Sequence, residues 1–183
     1  MKLVLLDRDG VINVSPGKSY ITSPHDLSLI DGAGEAISLL NKAHIKTAII
    51  TNQSIVGQGG ITLVQLNEIH RYLSALLKKE GAYIDHIFFC TDAPHQPTFR
   101  RKPNPGMIQE ALAYFDALPH KTPLIGDALV DLEAAFKGGC PRHLVRTGHG
   151  KRVEEQGIPH ELLPVHIHND LLSAVHFLLK NNA

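Results

Sequence analysis

Short apolar runs alternate along the chain with amphipathic stretches, and this alternation restricts the possible folds more than any other feature of the sequence. Residues 2–6, 46–50, 84–89, 122–125, 143–145 and 165–167 read as strands. Between them, Ala36, Ile37, Leu39 and Leu40 recur at helical spacing over residues 35–43. Leu66, Ile69, Leu73, Leu76 and Leu77 do so over Leu63–Lys79, the longest helix expected. Pro105 stands in the first turn of a helix through Phe115, a position that tolerates proline. Another helix covers Leu129–Lys137 and stops at Gly138-Gly139, and a last one covers residues 171–179. Strands separated by helices need a parallel sheet with both faces covered. The expected fold is therefore α/β, a doubly wound parallel sheet with helices on both faces. A chain of 183 residues fits a single domain over 1–183.

In such sheets ligands sit outside the carboxyl ends of the strands. The polar residues that follow the strands are Asp7-Arg8-Asp9-Gly10, then Thr51-Asn52-Gln53-Ser54, then Gly126-Asp127 with Asp131 four positions on. Arg101-Lys102 precedes the helix that Pro105 opens. Each has a plain structural reading: an Asp at a strand end caps a turn or the next helix, Asp131 suits the first turn of a helix, and a lone lysine is usually solvated. All four groups converging on one sheet edge is what that reading does not explain. Three carboxylates, Asp7, Asp127 and Asp131, make an oxygen-rich environment of the kind Mg²⁺ takes. A cation beside Asp7 lets an anionic nucleophile approach a phosphate and split one displacement into two. Asp9 is placed to act as general acid and then base, and its backbone carbonyl is free for the metal. Lys102 and the Thr51 hydroxyl suit the equatorial phosphoryl oxygens. Gly10 permits a tight turn whose amides face phosphate.

With Arg101-Lys102-Pro103-x-Pro105-Gly106-Met107 and Gly126-Asp127-x-x-x-Asp131 added to the first two groups, the chain resembles the haloacid-dehalogenase-like (HAD) phosphatases over residues 2–148. Within them it is similar to the branch containing D-glycero-D-manno-heptose 1,7-bisphosphate phosphatase and histidinol-phosphate phosphatase. The resemblance implies a phosphoric monoester hydrolase with Asp7 as nucleophile and Asp9 as acid/base. Mg²⁺ would be held by Asp7, the Asp9 backbone and Asp127, with Asp131 behind them. Thr51 and Lys102 would stabilise the phosphoryl group, and Arg101, Asn52, Gln53 and Ser54 would recognise the substrate, a small phosphate ester. The short intervals between Asp7, Thr51 and Lys102 imply no separate cap domain, so the loops over residues 14–31 and 91–100 would shape the pocket.

Members of this branch commonly carry a zinc loop before the Arg-Lys pair, and here Cys90 alone of its ligands remains, with His95 nearby. Two ligands do not close a tetrahedral site, so no structural zinc is expected. Ala128 follows the metal aspartate where a lysine is often found, and Gly57-Gln58-Gly59-Gly60 stands where an arginine often does. Both losses weaken the case for a bisphosphate in particular and leave the chemistry intact. A heptose 1,7-bisphosphate or related sugar phosphate leads, followed by histidinol phosphate, a phosphorylated macromolecule, and a non-enzymatic phospho-accepting signalling domain. The net charge of zero argues against a nucleic-acid partner. Two cysteines, a leading apolar run too short for a signal core and no membrane-length stretch suit a cytoplasmic protein without a membrane partner, expected as a monomer. Most of the twelve histidines read as surface or satisfied residues, with His166-Ile167-His168 a weak metal signal, and His149, His160, His166 and His168 read as surface residues.

Overall fold

The computed structural model describes residues 1–15, 17 and 20–181. Its strands are β1 (Leu3–Leu6), β2 (Lys46–Asn52), β3 (His86–Cys90), β4 (Leu124–Gly126), β5 (Arg142–Val145) and β6 (Val165–His168). Its helices are α1 (Ala33–Lys42), α2 (Ser54–Gly57), α3 (Leu63–Lys79), α4 (Gly106–Tyr114), α5 (Leu129–Lys137), α6 (Gly150–Gln156) and α7 (Leu171–Asn181). The six strands form one sheet in the order β3-β2-β1-β4-β5-β6, parallel throughout. The chain lays down β1, β2 and β3 toward one edge. It then returns to place β4 on the free side of β1. The order reverses between β1 and β4, which is where an open α/β sheet leaves a crevice at its carboxyl end.

β1 shows why both faces must be covered. Val4 and Leu6 join a core with Ala36, Ile37 and Leu40 of α1, Leu66, Ile69 and Leu73 of α3, and Leu171 and Val175 of α7. Leu3 and Leu5 point to the opposite face and share a core with Met107 and Ile108 of α4 and Ala134 and Ala135 of α5. All four β1 side chains are fully buried, each stabilising the fold by roughly 1.5–3 kcal/mol. The doubly wound sheet expected from the alternation is the observed fold. β2 runs on through Thr51 and Asn52, because these still pair with Phe89 and Cys90 of β3. The short α2 and α6 have no counterpart in the sequence reading. They span one to two turns, too little for an apolar period to register.

The loop over residues 14–31 is described except at Pro16, Lys18 and Ser19. It is tied to the first strand's turn by Asn13, which bridges to Asp9 on one side and Leu29 on the other.

Candidate active site

Asp7 follows β1 and Asp127 follows β4, so the two strands that flank the order reversal each deliver a carboxylate. Lys102, buried, reaches in from the loop before α4. Its Nζ donates to Asp7 Oδ1 at 2.8 Å, to Asp131 Oδ1 at 2.6 Å and to the Ile50 carbonyl at 2.7 Å. These three acceptors satisfy all three ammonium hydrogens. Burial alone would drive the ammonium toward neutrality; Asp131 and Asp7 overcome it and hold the proton above the usual lysine range. Asp131 turns its other oxygen to the Ala128 N–H at 3.0 Å and so caps the start of α5. The capping role read from sequence and the contact with Lys102 therefore coexist in one side chain.

Asp7, Asp127 and Asp131 lie close enough for one oxygen of each to fall within 4.8 Å of the others. Burial pushes the Asp7 carboxyl up to about 6 against the opposing pull of Lys102. Burial, then Asp7 and Asp131, push Asp127 up to about 8, although the His149 N–H donates to it at 2.7 Å. Burial is the larger cause of both shifts and the crowding of carboxylates that Lys102 leaves unbalanced the smaller one, and a donor set of this kind fits a hard divalent cation such as Mg²⁺.

The Asp9 carboxylate is held on a different set of partners. Arg8 Nη2 donates to both of its oxygens at 2.9 Å, Asn13 Nδ2 to Oδ1 at 2.9 Å and Gln53 Nε2 to Oδ2 at 2.9 Å. Burial would raise its pKa, but the Arg8 charge and the Asn13 and Gln53 amides reverse that and hold it below the usual carboxylate range. Gln53 also donates to Thr51 Oγ1 at 2.9 Å and accepts from Arg8 at 3.1 Å. Its amide thus links Asp9, Thr51 and Arg8 from within the core. The Asn52 amide exchanges two bonds with the Lys102 backbone, at 3.0 and 3.1 Å. Ser54 is buried at the start of α2, while Arg101 donates to the Asp92 carbonyl at 2.9 Å.

Asp7, Asp9, Thr51, Asn52, Lys102, Asp127 and Asp131 line one cavity of about 160 Å³. Ser15 and His149 belong both to it and to an adjoining space of about 470 Å³. Arg8, Asn13 and the loop after β5 went unread in the sequence. That loop follows a strand end like the others. Its Thr147 hydroxyl donates to the Gly10 carbonyl at 2.6 Å and its His149 amide binds Asp127, so the strand-end rule applied to β5 would have found it.

A family model described as HAD-hydrolase-like matches residues 99–174. The D-glycero-beta-D-manno-heptose-1,7-bisphosphate 7-phosphatase of Pseudomonas putida is 37% identical over 163 residues, 89% of this chain and 93% of that protein. The enzyme of the same name from Neisseria meningitidis serogroup A is 36% identical over 185 residues, 100% of this chain and 97% of the other. The chain belongs to the HAD-like phosphatases. Among solved structures, the D,D-heptose 1,7-bisphosphate phosphatase of B. bronchiseptica, complexed with magnesium and phosphate, superposes on this phosphatase with a TM-score of 0.93. It shares 34% identity, and the match covers 99% of each chain. Among the described residues no helix of this phosphatase is long and apolar enough to cross a membrane.

Proposed function

We propose that this phosphatase hydrolyses the 7-phosphate of D-glycero-D-manno-heptose 1,7-bisphosphate or of a related sugar phosphate, with Mg²⁺ and through an aspartyl-phosphate on Asp7. The observation that carries the reading is the buried cluster of Asp7, Lys102, Asp127 and Asp131 at the crevice between β1 and β4. It stands in a chain alike over nearly its whole length to heptose bisphosphate phosphatases.

An Asp7 oxygen attacks phosphorus while the bond from phosphorus to the sugar oxygen breaks. Asp9, which Arg8, Asn13 and Gln53 hold as a carboxylate in the free protein, must first take up a proton from solvent, and it gives that proton to the departing oxygen. Arg8 and Gln53 then hold Asp9 as the carboxylate that takes a proton from the attacking water. That water displaces Asp7, releases phosphate and restores both side chains. Lys102 keeps Asp7 ionised in a buried setting and, with the Thr51 hydroxyl, presents donors to the phosphoryl oxygens. Asp7, the Asp9 carbonyl and Asp127 would hold Mg²⁺, with Asp131 behind them, and the ion when bound would neutralise charge on the transferring group. Asn52 acts by fixing Lys102 and Gln53 by fixing Asp9, and Ser54 and Arg101 would recognise the remainder of the substrate. Cys90 is buried in the core beneath α4 and His95 is exposed, which supports a chain without structural zinc.

Phosphate release should be measured with Mg²⁺ on heptose 1,7-bisphosphate, histidinol phosphate, simple sugar phosphates and a phosphorylated oligonucleotide. Wild type should prefer the heptose ester, and Asp7→Asn should lose at least about 10³-fold in kcat. Retained Asp7→Asn turnover, or full activity in excess EDTA, overturns the mechanism. Faster turnover of another ester replaces the substrate, and a stable phosphoprotein without turnover restores the signalling reading.

A further inference from the structure

Behind Asp9 the fold buries three polar side-chain atoms that nothing among the described residues pairs. Arg8 is the largest of the fully buried side chains. Its Nε and Nη2 are spent on Asp9 and Gln53, whereas Nη1, which carries two N–H groups, has no partner. The other two are Asn13 Oδ1, an acceptor, and the ring nitrogen His70 Nε2, both buried. Asn13 belongs to this shell already, since its amide nitrogen binds Asp9.

His70 enters it from α3. It lies on the stripe of Leu66, Ile69, Leu73 and Leu77 that faces the core, with its ring against Phe89 at 5.5 Å. A histidine on an apolar stripe is usually a core residue with its nitrogens satisfied. This one leaves Nε2 unpaired, a cost of about 1–3 kcal/mol that leucine at the same place would avoid. Burial first, and the Arg8 charge second, drive its pKa down to about 4. The ring is therefore neutral at physiological pH and offers one nitrogen as an acceptor. A guanidinium edge with two free N–H groups is the complement of that nitrogen and of Asn13 Oδ1.

We infer that His70 is a positioning residue for the phosphatase reaction: its Nε2 accepts from the Arg8 Nη1 edge, directly or through one shared water, and so fixes the guanidinium against which Asp9 is set. The inference rests on the acid/base role of Asp9 proposed above. It reaches beyond the catalytic cavity to the middle of α3, a helix with no residue lining that cavity.

Two variants test it. His70→Phe keeps a buried ring and removes both nitrogens, while His70→Gln returns a polar acceptor. On the sugar phosphate, His70→Phe is expected to lower kcat about tenfold with KM within about twofold of wild type. His70→Gln should regain at least about half of the wild-type kcat. Wild-type kcat in His70→Phe overturns the inference, as do equal losses in both variants. Should His70→Phe fail to fold, a crystal structure of the wild type decides: Nε2 bonded to Arg8 or to a water that Arg8 also binds supports it, and Nε2 bonded elsewhere refutes it. Asp9→Asn separates the two readings. Retained turnover there removes the acid/base assignment itself. Lost turnover beside a fully active His70→Phe removes only the role of His70.

Discussion

A methyl group on Gly10 would strike the Asp127 carboxylate, and one on Gly148 would strike the same carboxylate and the Gly10 Cα. Gly10 was read from sequence as a turn whose amides face phosphate. Its turn does require a positive φ of 87°, but the closer constraint is the room it leaves for Asp127. Gly157 has the same φ of 87° with nothing within 4 Å of where a Cβ would stand, so the two glycines separate backbone strain from crowding. Gly157→Ala should cost roughly 1–2 kcal/mol of stability and leave kcat/KM unchanged. Gly10→Ala should lose phosphatase activity and the thermal stabilisation given by Mg²⁺ as well as paying that strain. Melting curves with and without Mg²⁺, together with phosphate release, check both; an active Gly10→Ala refutes the crowding account. Asp7, Thr51, Asp127 and Asp131 were legible because each stands at or near the carboxyl end of a strand, and Lys102 because it precedes the helix that Pro105 opens. Gln53 was read as a substrate residue and Arg8 was given no role; that both turn to Asp9 was not legible, since the direction a side chain takes beyond the last paired residue follows the local turn and no sequence period reports it.

At the scale of elements, α3 and α5 have the bounds that their apolar spacing and end signals suggest. Thr62 and Gln65 close a reciprocal cap at the start of α3, at 3.2 and 2.8 Å, and Gly138 and Gly139 end α5. β2 runs past its sequence-read end because pairing with β3 continues to Asn52, a tertiary effect that local propensity does not contain. That extra residue matters to the site. Asn52 sits on the last rung of β2 and clamps the Lys102 backbone with both ends of its amide, so a strand end fixes a loop that has no ladder of its own. Asn52→Ala should remove about 1–2 kcal/mol of stability, the sum expected for two half-buried hydrogen bonds. It should also lower kcat about tenfold by loosening Lys102. Chemical denaturation and steady-state kinetics on the same samples check this, and loss of stability with unchanged kcat would show that Asp7, Asp131 and the Ile50 carbonyl suffice to hold Lys102.

For the molecule as a whole, folding is linked to pH by groups of opposite sign. His143 lies buried in β5, with Nδ1 3.0 Å from His168 Nε2 and His166 stacked on it at 5.0 Å. Burial, then His168 and His166, push its pKa down to about 3. Below about pH 6.5 the unfolded chain protonates this side chain and the folded chain does not, so stability falls as pH falls, by about 1.4 kcal/mol for each unit. By pH 5 the loss from His143 is about 2 kcal/mol. Asp7 and Asp127 act in reverse. Their raised folded values, about 6 and about 8, mean the folded state takes up protons first and gains stability over the same range. The total slope of the wild type is therefore shallow and does not by itself identify either contribution. His143→Leu isolates one of them, because the active-site carboxylates are common to both proteins and cancel in the difference. The variant can be less stable throughout, having lost the contact with His168, without affecting the comparison. What counts is that the stability of the wild type relative to the variant should drop by about 2 kcal/mol between pH 7 and pH 5. Urea denaturation at half-unit intervals measures it directly. Parallel curves would mean that His143 titrates in the fold as it does in the open chain, and that the stacked histidines of β5 and β6 are open to water.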